Sequence, residues 1–177
     1  MKFQVVIGML GILVLAHPAT AQPADPAEAG KAIYERANCV GCHKWSGVGG
    51  GGYGGAALSL RATQLDKEQI GEIVTCGRPG TGMPHFTTDS YKDGKCYGMS
   101  SDDVKDIMPP AANVVLRPRE IDAVADYVLA NIRGKGDPSL ADCVSFFGDT
   151  SRVCDIYRPK PAGGSRHAMP TPTTTGQ

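Results

Sequence analysis

This chain lacks an excess of either charge: its 177 residues carry 18 Lys plus Arg against 18 Asp plus Glu. Without a concentrated basic face, nucleic acid is excluded as a partner. Beyond its first residues it also lacks any apolar run long enough to cross a bilayer, so no transmembrane span is expected in the mature chain. There is no internal repeat, and the tightly spaced cysteine pair described below occurs once. The one long apolar stretch, Phe3 to Ala16, follows Lys2 and precedes Ala19-Thr20-Ala21, the pattern of a secretory signal with cleavage after Ala21. Residues 1–21 are therefore expected to be removed on export to the periplasm, which leaves a slightly acidic chain.

What the chain does have is Cys39-Val40-Gly41-Cys42-His43. C-x-x-C-H is the covalent attachment site of a c-type haem. Two thiols three positions apart can reach the two vinyl groups of one porphyrin, and the histidine next in line is held beneath the iron. A redox dithiol would want β-rich sequence before the pair, and a zinc site would want a second pair at similar spacing. The residues before Cys39 read as helix, and Cys76, Cys96, Cys143 and Cys154 are scattered. One motif implies one covalent haem c.

An oxidising compartment tends to pair the remaining four cysteines. Cys143 and Cys154 are close in sequence and lie in a stretch poor in core residues, so they are expected to pair, leaving Cys76 with Cys96. Two other connectivities remain formally possible.

Three helices are expected after the Pro/Ala linker of residues 22–26. The first starts near Ala27 and places Gly30, Tyr34 and Ala37 on one face. The second has a full start signal in Asp66 and Gln69, with Leu65 and Ile70 as a staple and Gly77 as its stop. The last runs from Pro118 to Ile132 with Ile121, Val124, Ala125, Val128, Leu129 and Ile132 as its inner stripe, Tyr127 beside it and Gly134 at its end. Gly47 to Gly55 reads as a flexible loop, since neither the strand nor the helix of a phosphate-cradling loop flanks it. Residues 22–134 form the main domain, 135–158 an irregular disulfide-bearing extension, and 159–177 a disordered Pro/Thr/Gly-rich tail.

A helix with Gly30 and Tyr34, C-x-x-C-H, a middle helix, a Met-Pro loop and a last helix with an aromatic occur here in the order that resembles the class I c-type cytochromes, over about Ala27 to Ile132. The resemblance implies an all-α fold of few helices wrapped around one covalently attached haem, with long loops. It also implies a crossing of the first and last helices at Gly30, Tyr34 and Tyr127. Cys39, Cys42 and His43 map to the family's haem-binding residues, and its distal ligand is a methionine before the last helix. One departure stands out: where the family often has a G-P-x-L-like stretch whose proline carbonyl receives the proximal histidine's second nitrogen, this chain has Gly55-Ala56-Ala57-Leu58.

Met83, in the Gly82-Met83-Pro84 loop after the middle helix, is the favoured iron ligand, and Met108, before Pro109-Pro110, is the alternative. Residues 85–107 then read as an insertion. Met99 reads as a surface or packing residue before a short capped helix, and His85 is a further candidate ligand. Arg61, Arg78, Trp45 and Tyr97 are candidate neighbours of the haem propionates, but ordinary surface or packing roles are the favoured reading. His/Met ligation fills both axial positions, so the expectation is a periplasmic monohaem electron-transfer protein and not an enzyme. Its partners would be redox proteins such as a quinoprotein dehydrogenase, an oxidase or another cytochrome. The alternatives are a haem enzyme of peroxidase type and a haem subunit of a larger respiratory complex.

Overall fold

The computed structural model describes residues 25–52 and 56–160. The expected signal peptide and nearly all of the expected tail lie outside them. The described residues fold into helices and long loops with no named strand; the extended pairing is confined to isolated bridges.

Helix α1 spans Pro26–Arg36. The Asp25 carboxylate caps it by accepting from the Ala27 N–H at 3.0 Å, and Pro26 occupies the first turn, where its missing N–H is harmless. Helix α4 spans Pro118–Tyr127. The two cross at Gly30, where a Cβ would overlap the Ala123 carbonyl oxygen and stand 2.5 Å from the Tyr127 Cβ. Only glycine permits that approach. The Tyr34 and Tyr127 rings then meet at 5.6 Å between centroids, within the preferred range for aromatic pairs. An Arg36–Glu120 ion pair of 2.7 Å closes the side of the crossing. Ile33, Ile121, Val124 and Val128 fill the core beneath it.

The last helix is not a single α-helix to Ile132. From Val128 to Ile132 it widens into a π-type turn, with the Arg133 N–H reaching the Val128 carbonyl at 2.8 Å. Val128 and Ile132 both stay buried. Helix α3 spans Lys67–Cys76, with α2, the five-residue helix Cys39–His43, between it and α1. Asp66 and Gln69 form the reciprocal capping box that their spacing predicts, at 2.8 and 3.0 Å.

Residues 87–109 loop out from a closed base, where His85 pairs with Ala111 and Phe86 accepts the Leu116 N–H at 2.8 Å. The loop has a small core of its own around Cys76, Tyr91, Cys96 and Val104, with Met99 packed against it. Ser100 and Asp103 exchange the bonds of a cap, but the residues after them form successive turns and not the expected helix. Cys76 and Cys96 are bonded at 2.08 Å, and Cys143 and Cys154 at 2.10 Å.

The extension is not irregular, which corrects the reading from composition. Helix α5 spans Leu140–Phe147, capped by Ser139 and Asp142 in a second reciprocal box, and a 3-10 turn covers Arg152–Tyr157. Nor is it detached. Phe146 joins the main core, and Trp45 packs against Phe146, Phe147 and Tyr157.

Candidate haem site

A cavity of about 780 Å³ opens beside α2, within the size range of cofactor pockets. Cys39, Cys42 and His43 line it from that helix. Both thiols are free, whereas the other four cysteines are bonded to each other. Phe86, Ile107, Ala112 and Val114 supply apolar wall, and Met83 and Met108 reach it from two separate loops.

The backbone around α2 is shaped to turn sharply at both ends. Asn38 before it and Lys44 after it have φ of 59° and 65°, in the left-handed region. The Tyr34 hydroxyl donates to the Lys44 carbonyl at 2.8 Å and ties the second of these turns to α1. Burial, and more weakly the neighbouring Cys39, push the Tyr34 hydroxyl's pKa far up, so it remains a donor. Burial likewise pushes the Cys39 thiol up to about 12, with Cys42 adding to the effect.

His43 is half-buried, and its Nδ1 lies 3.0 Å from the Leu58 carbonyl. A carbonyl can only accept, so Nδ1 carries the hydrogen and Nε2 holds a free lone pair. Burial lowers the imidazole pKa, partly offset by the Leu58 bond, and so favours the neutral, ligating form. The Leu58 carbonyl is the partner that Gly55-Ala56-Ala57-Leu58 left without a proline. The bond needs an oxygen and no ring.

The two methionines differ in setting. Met83 is half-buried and packs against the main core, on a loop that folds back onto α3 with the Arg78 N–H donating to the Met83 carbonyl at 3.2 Å. Gly77 makes that turn possible at φ 67°, where a Cβ would stand 2.7 Å from the Met83 carbonyl oxygen. Met108 is 38% exposed. The Gly80 N–H donates to the Ile107 carbonyl at 2.7 Å and ties the two loops together. His85 does not line the cavity, and its Nδ1 donates to the Thr87 carbonyl at 2.9 Å. Tyr97 donates to the Gly77 carbonyl at 2.7 Å, Trp45 faces the extension, and Arg61 is buried under it.

The donor set suits a haem. Two free thiols and a neutral imidazole with a fixed tautomer share one apolar cavity with a thioether. Among the described residues no three His, Cys, Asp or Glu side chains gather into a metal cluster of another kind.

Residues 25–100 match the family model described as "Cytochrome C oxidase, cbb3-type, subunit III". Over that stretch, somewhat under half of the chain, the match supports a class I c-type cytochrome domain. The match ends before Met108, α4 and the extension. No curated protein and no solved structure matches the chain.

Proposed function

We propose that the chain is an exported monohaem electron-transfer protein, with Cys39 and Cys42 fastening the haem and His43 and Met83 as its axial ligands. The observation that carries this reading is the convergence of two free thiols, a tautomer-fixed imidazole and a thioether on one apolar cavity. Haem supplies a one-electron couple. His43 presents Nε2 as a neutral donor while Leu58 receives its other hydrogen, and the Met83 thioether, soft and uncharged, favours ferrous over ferric iron. Held by His43 and Met83, the haem would have no site left for a substrate and would serve to exchange single electrons with redox protein partners; a quinoprotein dehydrogenase, an oxidase or another cytochrome are the partner classes.

Mass spectrometry of the exported protein should show the gain of one haem, abolished by Cys39→Ala with Cys42→Ala. The absence of that gain in the wild type would refute the reading. Met83→Ala should remove the weak sulfur-to-iron absorption near the red edge of the ferric spectrum, whereas Met108→Ala should keep it. The reverse would assign Met108.

The family description favours a second reading, a haem subunit of an oxidase-type respiratory complex. Fractionation of the native protein separates the two: a free carrier runs alone, a subunit runs with oxidase polypeptides. A peroxidase-type enzyme would need an acid-base group beside the iron, and His85, its candidate, stands outside the cavity wall. No described helix is long and apolar enough to cross a membrane.

A further inference from the structure

Among the described residues, Arg61 is the one charged residue with a buried side chain, at 8% exposure. A buried guanidinium is tolerated only when its donors are all used. Here Nη1 donates to the Ser46 carbonyl at 2.9 Å and Nη2 to the carbonyls of Lys135 and Asp137 at 3.2 Å each. Nε donates to the Gly136 carbonyl, and Asp142, from α5, supplies the counter-charge at 2.9 Å. Every one of these partners except Ser46 belongs to the chain after Gly134.

The same residue ends the segment that supports the proximal histidine. Leu58, three positions earlier, offers the carbonyl that receives the His43 Nδ1 hydrogen. Its own side chain is 63% exposed and anchors nothing. What fixes its carbonyl is backbone on either side. Upstream, Ala57 exchanges bonds with Gly50 and Gly51 at 2.9 and 2.8 Å. Downstream, the Leu60 and Arg61 N–H groups and the Ser59 hydroxyl converge on the Gly47 carbonyl at 2.7, 3.4 and 3.4 Å. Arg61 then clamps this lattice: its side chain grips Ser46 and the extension, and its carbonyl accepts from the Gly134 N–H at 2.9 Å.

We propose that Arg61 is a positioning residue through which the docked C-terminal extension holds the Leu58 carbonyl against His43 and thereby sets the electron-donating strength of the proximal imidazole. The inference rests on the haem reading above. A hydrogen bond from Nδ1–H to a carbonyl makes the opposite nitrogen a better donor, which stabilises ferric iron and lowers the reduction potential. Losing the clamp relaxes that bond and raises the potential. The extension thus acts on the iron without touching it.

The test uses the holoprotein and three variants. Arg61→Gln should raise the midpoint potential and speed solvent exchange of the His43 Nδ1 hydrogen, followed by NMR, about tenfold, as expected for loss of roughly one hydrogen bond's worth of protection. Asp142→Asn, which keeps an oxygen to cap Ser139 but loses the charge, should move both readouts the same way by less, and it decides the matter if Arg61→Gln does not fold. Phe147→Leu weakens the packing on Trp45 and leaves the clamp intact, so it should lower the melting temperature with the potential unchanged. Folded Arg61→Gln and Asp142→Asn proteins at the wild-type potential would overturn the proposal while the haem reading stands. So would a Phe147→Leu shift as large as theirs. A wild type without covalent haem would overturn both.

Discussion

The two sides of the cavity are held in different ways. Around Cys39, Cys42 and His43 the chain is laced by hydrogen bonds: Tyr34 to Lys44, His43 to Leu58, and the Arg61 clamp that reaches into the extension. Around Met83 it is held by a covalent bridge. The Cys76–Cys96 disulfide ties down the end of α3, and Tyr91 and Tyr97 donate to the carbonyls of Cys76 and Gly77 at 2.8 and 2.7 Å, at the root of the Met83 loop. Both tyrosines sit at positive φ, 63° and 57°, a cost that the disulfide and their hydrogen bonds offset together. One wall is fixed by a contact that a charge change can release, the other by a bond that only reduction can open.

Four experiments break or sharpen that contrast. The largest effect should come from the disulfides. Replacing Cys76 and Cys96 by Ala should cost about 3 kcal/mol, and replacing Cys143 and Cys154 slightly less, because the bridges span 20 and 11 residues. Denaturant titration checks the stabilities, and the ferric spectrum separates the walls: the first pair should weaken the methionine absorption and the second should leave it. Next, Gly30→Ala should cost about 2 kcal/mol through overlap at the helix crossing, with both walls loosened alike and the loss seen by thermal melting. Tyr97→Phe should cost about 1 kcal/mol, one part-buried hydrogen bond, and broaden the methionine absorption without moving the His43 Nδ1 hydrogen signal.

The smallest effect should be a titration. Burial works to raise the Asp142 pKa, but the hydrogen bonds from Arg61 and from Ser139 outweigh it, and the carboxyl sits below its ordinary range. A group depressed in the folded state stabilises it fully above the unfolded pKa, and that contribution is lost as pH falls through the folded value. Acidification below the usual carboxylate range should therefore loosen the extension first. Near-UV circular dichroism of Trp45, the only tryptophan, should report it before the methionine absorption changes.

The features legible in the sequence were those written in side chains at fixed spacing. Asp66 and Gln69 marked the start of α3, and Gly30 with Tyr127 marked the crossing. The proximity of Cys143 to Cys154 suggested the pairs that lie within bonding distance. Ser139 and Asp142 carry the same start signal as Asp66 and Gln69, yet the stretch after Gly134 lacks the long apolar stripe that would mark α5 as a helix. Its core contribution comes mainly from Phe146. The clamp made by Arg61 has no counterpart in the sequence pattern, since its partners are mostly backbone carbonyls, which every residue has. The Leu58 carbonyl was hidden for the same reason. The π-type turn at Val128 left no mark either, because an apolar stripe at helical spacing looks alike whether the helix widens or not.

The crossing of α1 with α4 also fixes an order of assembly. The Arg36–Glu120 pair spans 84 positions of chain, and Gly30 meets nothing until Ala123 and Tyr127 have been made. Contacts so distant along the chain form late, because a large loop must close before they repay its entropy. Helix α1, which leads directly into the segment bearing Cys39 and Cys42, therefore keeps its packing face open until α4 arrives, and the cavity wall that α2 contributes is anchored only at that late step.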